Sequence, residues 1–477
     1  MTFRVAVIGA GITGLTAARR LANSAKRDQL PLDITVYEED RRIGGKVMTY
    51  REGGLTLEAG PDSMLARKPA GVKLLKELGL ESEIVHQNPS STHTYIVKHG
   101  QLSSMPRGTH MAIPMDVSTF METDVLSPQG KLRTLFDLVL PKTDLSHDIS
   151  LGAFLRARLG DEWVDSLAEP LLAGIYAGKI DDLSLGATWP QFGELAKRYR
   201  SLIIGARTTR QKQPINQSGR SAFITVKGGL ETVIGRLADE LGPTVKLRLS
   251  HRVTRLERRP NGYELTVESM GEERAAAFDA VIICTPVHAM NELLRGHLPQ
   301  RSKAFDVPYV STATVILGYP ADAVNVSLKH ASGFLVPRSE HRAITASTWV
   351  SSKWPHTTDD RFVILRCYVG RAGQEQHLAL DDSEMARVVH GEVRDLIGLT
   401  PSPVFHKVTR WERAMPNYPV GHVEQWHQLQ EDIRATLPGI RVAGGGYRGL
   451  GLPDCIAHGE EVAAETLSYL CSQRVAR

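Results

Sequence analysis

The chain has 477 residues, 42% of them hydrophobic, so it is long enough to bury the cores of two or three domains. Its 57 basic and 53 acidic residues leave a net charge of +4, a balance that gives no reason to expect a nucleic-acid partner. The four cysteines show neither CxxC nor His/Cys spacing, which argues against a disulfide scaffold and a metal site and suits a cytoplasmic protein.

The chain begins with a pattern typical of a strand, a glycine turn and a helix start. An apolar run at residues 5–8 leads into Gly9, Gly11 and Gly14. Gly9 permits the tight turn, Gly11 lets the backbone approach a pyrophosphate, and Gly14 lets the helix pack against the strand. The first helical residues, Ile12 and Thr13, would present the positive end of the helix to phosphates.

A carboxylate closes the next apolar run. Glu38 lies 24 residues after Gly14, at the end of a predicted strand at residues 34–37. In dinucleotide-binding folds a carboxylate at this place accepts hydrogen bonds from ribose hydroxyls. A glycine loop alone is weak evidence, but strand, loop, helix and acid together predict a dinucleotide site.

Two further glycine-containing motifs follow Glu38, and a nicotinamide dehydrogenase needs neither. They are Gly44-Gly45-Lys46 and Gly60-Pro61-Asp62-Ser63. Arg67 and Lys68 come directly after the second motif.

The predicted secondary structure changes twice in the middle of the chain. Residues 86–182 are mostly helical in pattern, and residues 291–407 contain several short strand-like runs bounded by Gly and Pro. Between them, residues 227–241 have helical spacing, residues 253–256 and 263–267 read as strands joined by an Asn261-Gly262 hairpin turn, and residues 280–285 read as a buried strand.

No transmembrane helix is predicted, because the uncharged run at residues 307–321 is 15 residues long, short of the roughly 18 that a spanning helix needs. A peripheral membrane contact stays open. We expect most of the apolar side chains around residues 111–140 to be core. They include Met111, Ile113, Met115, Phe120, Met121, Leu132, Leu135, Phe136, Leu138 and Val139.

The C-terminal region repeats the strand, glycine loop and helix pattern of the N-terminus. Residues 442–459 read as a strand, a glycine loop and a helix that begins near Pro453, a residue tolerated in a first helical turn. Together with the N-terminal motifs, this region resembles the flavin-containing amine oxidase superfamily, in which such a helix N-terminus points at the flavin. The resemblance implies noncovalent FAD, with Cys455 as a buried structural thiol. Beyond the residues named above, it implies cofactor contacts at Val253, Trp411, Gly445, Gly451, Pro453, Asp454, Cys455 and Ile456.

A more specific likeness comes from residues 169–184, Glu-Pro-Leu-Leu-Ala-Gly-Ile-Tyr-Ala-Gly-Lys-Ile-Asp-Asp-Leu-Ser. This run resembles the signature of the protoporphyrinogen oxidase family, and the likeness is strongest to its Gram-positive coproporphyrinogen III oxidase branch. The resemblance implies an α/β fold: a discontinuous Rossmann-like FAD-binding domain (residues 1–69, 221–290 and 411–477), a β-rich substrate-binding domain (70–86, 184–220 and 291–410) and a helical lobe (87–183).

The resemblance also implies the reaction. A porphyrinogen loses six electrons in three rounds, each passing a hydride to the flavin, and dioxygen reoxidises the flavin to give hydrogen peroxide. No catalytic residue is predicted beyond the flavin. Lys68 is predicted to meet a substrate propionate or to stand at the lip of the site, with Arg67 as the weaker candidate, and Ile175 and Tyr368 are predicted to line the substrate cavity.

Three alternatives stay open at this stage. The chain could be a protoporphyrinogen IX oxidase, another superfamily enzyme such as an amine oxidase or carotenoid desaturase, or a noncatalytic flavoprotein that carries porphyrin. Enzymes of the haem pathway are candidate partners. No aromatic cage motif of the amine oxidases stands beside Gly445 and Gly446.

Overall fold

The computed structural model describes residues 2–106, 108–110, 113–212, 221–299 and 305–476. A parallel sheet of five strands contains both ends of the chain. Its strands are short apolar runs, as expected where helices cover both faces. In spatial order they are Val245–Arg248, Leu32–Tyr37, Phe3–Ile8, Ala280–Ile283 and Ile440–Val442. Distant segments therefore build one sheet, as the α/β prediction requires.

The first and last helices pack closely against each other on this sheet. They are Ile12–Arg27 and Leu452–Ala476. A Cβ at Gly459 would lie 2.5 Å from the carbonyl oxygen of Thr13, so only glycine permits this approach. The helices Glu231–Leu241 and Pro69–Glu77 pack against the same pair.

A second sheet has seven strands and is antiparallel except for one parallel pair, Ala331–Leu335 with His93–Lys98. The helix Asp382–Ile397 begins with a capping box of Asp381 and Glu384 and shares a hydrophobic core with this sheet. The strands predicted within residues 291–407 lie here. In spatial order the seven strands are Phe405–Pro416, Tyr309–Pro320, Phe362–Val369, Ile344–Trp349, Ala331–Leu335, His93–Lys98 and Gln101–Ser104.

Smaller strand groups lie outside these two sheets. The predicted hairpin at Asn261-Gly262 is present in a three-stranded antiparallel sheet, Arg252–Arg259, Gly262–Ser269 and Glu272–Phe278. The remaining strands pair as Met64–Leu65, Phe223–Val226 and Ile84–His86; as Thr49–Glu52 with Leu55–Glu58; and as Thr109–His110 with Ile113–Pro114.

The helical segment at residues 117–212 is stabilised by polar contacts as well as by its apolar core. Asp116, Ser127, Ser150 and Ser184 each cap a helix with a side-chain oxygen. Its helices are Val117–Met121, Pro128–Leu135, Leu151–Leu159, Asp161–Trp163, the π-helix Val164–Ala173, Leu185–Thr188, Pro190–Arg198 and Leu202–Lys212. Three further helices lie outside it, at Val287–Leu294, Val350–Lys353 and His422–Thr436.

Two expectations need correction. The predicted helical lobe at residues 87–183 contains the strands His93–Lys98 and Gln101–Ser104, which belong to the seven-stranded sheet. The two strands form a local hairpin, but the parallel pairing of His93–Lys98 with Ala331–Leu335, more than 200 positions away, leaves no local signal in the sequence. The division into three domains stays a prediction.

The second correction concerns the apolar side chains around residues 111–140. Ile113 and Phe120 are buried, and Met115, Leu135 and Leu138 are partly buried and pack against the core. The expectation fails at Met121, Leu132, Phe136 and Val139, which are exposed. Met111 lies outside the described residues. No helix of the described residues is both long and apolar enough to cross a bilayer.

Candidate functional site

A cavity of about 1270 Å³ lies between the glycine loops of the parallel sheet and one face of the seven-stranded sheet. Most of the residues predicted to contact the cofactor line it. They are Gly9, Gly11, Ile12, Thr13, Glu38, Gly44, Gly45, Lys46, Gly60, Pro61, Asp62, Ser63, Val253, Trp411, Gly445, Gly451 and Cys455. Gly14, Pro453, Asp454 and Ile456 are absent from the cavity wall that the described residues form.

The first glycine loop divides its roles as the spacing predicts. Gly9 has a φ of +102°, which favours glycine. A Cβ at Gly14 would lie 1.9 Å from the carbonyl oxygen of Gly9, whereas no described atom comes within 4 Å of a Cβ at Gly11. Gly11 also precedes the first helix, and no described side chain caps that helix. Gly11, Ile12 and Thr13 line the cavity, so the start of this helix lies at the cavity with amides that no side chain caps, an arrangement that suits a pyrophosphate.

The second glycine pair lies against the first glycine loop. The Gly44 amide donates to the carbonyl of Ala10 at 2.8 Å, and Gly44 forms an isolated β-bridge with Gly11. A Cβ at Gly45 would lie 3.5 Å from the Gly11 Cα. The pair thus extends the floor of the cavity beside the first helix.

Glu38 is placed by two backbone amides. Its Oε2 accepts from the Ala10 amide at 2.7 Å and its Oε1 from the Asp40 amide at 3.0 Å. Burial raises the pKa of Glu38, and the two amides partly offset that rise. A carboxylate oxygen has more than one lone pair, so each can also accept from a ribose hydroxyl.

Lys46 and Trp411 stand on the same side of the cavity. The Lys46 ammonium donates to the carbonyl of Ala414, and burial lowers the pKa of Lys46 to about 8. The Trp411 indole donates to the carbonyl of Ala59 at 3.1 Å and contacts Thr314 Oγ1 at 3.2 Å.

The C-terminal glycine loop is ordered by buried polar contacts. The Gly444 amide donates to His458 Nδ1 at 3.2 Å, and burial lowers the pKa of His458 to about 4, so that the ring is neutral and accepts. The helix begins at Leu452, one residue before the predicted Pro453. All four cysteines lie within the described residues and are free; burial raises the pKa of Cys455 to about 11, so its thiol stays protonated.

The structure places Lys68 in an ion pair. Its Nζ lies 2.5 Å from Asp454 Oδ2, and neither Lys68 nor Arg67 belongs to the described cavity wall. Lys68 directly precedes the helix Pro69–Glu77 and Asp454 lies in the first turn of the last helix, so the pair joins two helix starts. The geometry therefore does not bring the predicted propionate partners to the cavity.

Ile175 and Tyr368 do line the cavity, at its end beneath the seven-stranded sheet. Ile175 is 51% exposed, so its apolar side chain is open to a ligand. The Tyr368 hydroxyl accepts from the guanidinium of Arg366 and lies 3.3 Å from Thr348 Oγ1. Arg366 and Tyr368 share a face of one strand, since they are two residues apart.

The predicted signature at residues 169–184 is tied to this wall by Arg338. The Arg338 guanidinium donates to Glu169, to the carbonyl of Gly178 at 2.6 Å and to that of Ala372 at 2.8 Å. Arg338 and Glu169 both line the cavity. The ion pair thus holds the loop that carries Ile175 against the sheet.

Comparison with known proteins identifies the family of this chain. The model of the family described as flavin containing amine oxidoreductase matches residues 12–467, nearly the whole chain. The chain belongs to this family of flavin oxidoreductases.

Individual relatives cover the chain from end to end. It is 37% identical over 471 residues to the coproporphyrinogen III oxidase of Bacillus subtilis (strain 168), covering 98% of each chain. It is 36% identical over 478 residues to the coproporphyrinogen III oxidase of Staphylococcus aureus (strain NCTC 8325 / PS 47), covering 98% of this chain and 100% of the relative. A crystal structure described as a protoporphyrinogen oxidase from Exiguobacterium sp. 255-15 matches with a TM-score of 0.86 at 33% identity, covering 98% of this chain and 99% of that one.

The site fits the flavin that the family name implies. The uncapped helix at Gly11 and the open space at its missing Cβ can hold phosphates, and Glu38 can hold a ribose. Within the described ranges, no group of three or more His, Cys, Asp or Glu side chains is placed to hold a metal ion.

Sequence reasoning missed several charged residues of the cavity wall. Arg338, Lys353, Arg366 and Arg371 all line it. Arg366 could have been found from its spacing to Tyr368 on a predicted strand. Lys353 lies on a short helix between two strands and carries no recognisable signal.

Proposed function

We propose that this flavin oxidoreductase is an FAD-dependent coproporphyrinogen III oxidase of haem biosynthesis that uses dioxygen and releases hydrogen peroxide. The observation that carries the proposal is the single cavity that runs from the glycine loops to Ile175 and Tyr368. Such a cavity has room for a dinucleotide at one end and a large flat ligand at the other. The full-length likeness to two proteins named coproporphyrinogen III oxidase supports the substrate.

The bound FAD would take a hydride from a substrate carbon and deliver the electrons to dioxygen. The chain supplies binding and electrostatics. The N-terminus of the helix Leu452–Ala476 lies at the cavity, and its partial positive charge stabilises negative charge there. Ile175 and Tyr368 offer an apolar side chain and a phenol to the tetrapyrrole, and the Arg366 guanidinium fixes the phenol. One coproporphyrinogen loses six hydrogens and three dioxygen molecules become three hydrogen peroxide molecules.

FAD is proposed to bind without a covalent link. Cys455, the thiol nearest the C-terminal glycine loop in sequence, is buried and protonated. Acid precipitation of the yellow protein should therefore leave FAD in the supernatant, measured by absorbance and fluorescence. Colour that stays in the pellet would contradict this part of the proposal.

The substrate is tested by assaying coproporphyrinogen III and protoporphyrinogen IX side by side in air, with porphyrin fluorescence and peroxide both recorded. We expect a higher kcat/KM for coproporphyrinogen, because polar groups that pair with its two additional propionates would be left unpaired by an analogue that has vinyl groups there. Protoporphyrinogen IX oxidase is the second candidate, favoured by the description of the Exiguobacterium structure, and a preference for that substrate in detergent-free buffer would select it. Flavin that is not bleached by either porphyrinogen without oxygen would reject both. The cytoplasmic location and haem-pathway partners stay predictions.

A further inference from the structure

A charged cluster stands on the cavity wall at the side of the seven-stranded sheet. Lys353 Nζ lies 2.8 Å from Asp62 Oδ2, and Arg366 Nη2 lies 3.4 Å from the same oxygen. The side chains of Lys353 and Asp62 are each 15% exposed, and that of Arg366 is 4% exposed. Two cations thus share the Asp62 carboxylate in a poorly hydrated place.

The negative member of this cluster does not lose its charge. Burial by itself raises the pKa of Asp62, but Lys353 and Arg366 together hold that pKa well below its ordinary range. The Asp62 carboxylate therefore stays ionised between the two cations. Partly buried charge of this kind is stabilised by a further carboxylate that forms a charge-assisted hydrogen bond.

Lys353 has N–H donors for which the described residues provide no acceptor; Arg366 Nε also lacks one, but that atom is buried. An ammonium has three N–H groups, and the structure gives Lys353 one carboxylate oxygen as a hydrogen-bond acceptor. Its Nζ also lies 5.6 Å from the ring centroid of Phe223 and 5.5 Å from that of Trp354. Phe223 lines the cavity and is 40% exposed, so an ammonium and an apolar ring are offered side by side.

Apart from Arg252, whose side chain is 61% exposed and lies 3.9 Å from Glu39, the arginines of the described cavity wall are engaged by the backbone. Arg366 donates to the carbonyls of Glu58 and Gly60, and Arg338 to those of Gly178 and Ala372. Arg371 likewise donates to the carbonyl of Val336 at 2.7 Å. These guanidiniums hold loops together, whereas Lys353 keeps donors for a ligand.

We propose that Lys353 binds a propionate carboxylate of the tetrapyrrole, with the Phe223 ring beside it in apolar contact. The inference rests on the proposed function and names a specificity residue for it. It replaces Lys68, whose ammonium is engaged by Asp454 away from the described cavity wall. The ligand class is a polycarboxylate on an apolar ring.

The test compares Lys353→Gln, which removes the charge, with Lys353→Arg, which keeps it. Lys407→Gln is the matched control, because Lys407 is a surface lysine in an ion pair with Glu52. The measurements are KM and kcat for coproporphyrinogen III, and the Kd of coproporphyrin III by fluorescence quenching. The neutral tetraamide of coproporphyrin III serves as a probe with the same ring and no carboxylate.

Loss of one charge-assisted hydrogen bond predicts a roughly ten- to hundredfold rise in KM and Kd for Lys353→Gln, with kcat changed less. Lys353→Arg should recover most of the affinity, and Lys407→Gln should match the wild type. The Kd of the tetraamide should be the same for Lys353→Gln and wild type, since a merely structural loss would weaken both ligands equally.

Two results would overturn the assignment: an unchanged Kd of coproporphyrin III in Lys353→Gln, or an equal loss for the acid and the tetraamide. Flavin content and thermal stability, recorded for each variant, identify a misfolded protein, and its Lys353→Arg partner then decides the result. A wild-type protein that oxidises no porphyrinogen refutes the proposed function; an active wild type with an unaffected Lys353→Gln refutes only the role of Lys353.

Discussion

Alanine substitutions at Gly11 and Gly14 of the first glycine loop should have different effects. At Gly14 a Cβ would lie 1.9 Å from the Gly9 carbonyl oxygen and 3.3 Å from Val7 Cγ1. At Gly11 the backbone has a φ of −71°, and no described atom lies within 4 Å of the new Cβ. We therefore expect Gly14→Ala to damage the fold and Gly11→Ala to damage only cofactor binding.

The magnitudes follow from the contacts. Contacts under 3.0 Å essentially do not occur for a real Cβ, so the turn at Gly9 must retreat by more than 1 Å in Gly14→Ala. Overpacking of this kind costs about 1–3 kcal/mol of unfolding free energy. In Gly11→Ala the stability of the flavin-free protein should change by less than about 1 kcal/mol, because alanine restricts the unfolded chain but is less favourable than glycine at this N-cap position. Its methyl group, however, enters the space next to the first-turn amides, and loss of one charge-assisted hydrogen bond there weakens FAD binding roughly tenfold or more.

The assay pairs two measurements on each variant: denaturant unfolding of the flavin-free protein and the Kd for FAD by flavin fluorescence. Wild-type FAD affinity in Gly11→Ala would show that the cofactor does not approach this backbone. Wild-type stability of flavin-free Gly14→Ala would show that the strand and helix are not packed as closely as described. Both outcomes refute the reasoning directly.

Three other substitutions test single contacts. Glu38→Ala should lower FAD retention on dilution, because it removes a ribose acceptor and frees the Ala10 amide; equal retention would exclude that role. Lys68→Met should lower thermal stability and FAD content with little change in KM for coproporphyrinogen, since it breaks the pair with Asp454; a selective rise in KM would restore the propionate prediction. Burial raises the pKa of Glu58 from an ordinary 4.5 to about 7. Between these two pH values the folded protein keeps a proton that the unfolded chain has lost. The unfolding free energy should therefore fall as the pH rises from about 4.5 to about 7. Glu58→Gln should remove this pH dependence and be more stable than the wild type at pH 8 by about 2–3 kcal/mol. An unchanged pH dependence of the unfolding free energy, measured by denaturant titration, would contradict the raised pKa of Glu58.

The dinucleotide loop was predictable because its information is local. The turn at Gly9, the helix start after Gly11 and the close contact at Gly14 all lie within ten residues of one another. Glu38 follows at a spacing set by one helix and one strand. The family signature and the C-terminal loop then identified the family and its α/β fold. These features are encoded in short runs whose conformation depends on their own residues.

Charge partners and sheet edges depended on the tertiary structure. Lys68 meets Asp454 across 386 positions of the chain, and Lys353 meets Asp62 across 291. Periodicity specifies which face of a strand or helix is apolar, but not which distant charge comes to lie beside it. The same holds for the parallel pairing of His93–Lys98 with Ala331–Leu335, because nothing in either strand specifies the other as its partner. The sequence by itself therefore determined where FAD is expected, and only the fold decided which cations are free to face a substrate.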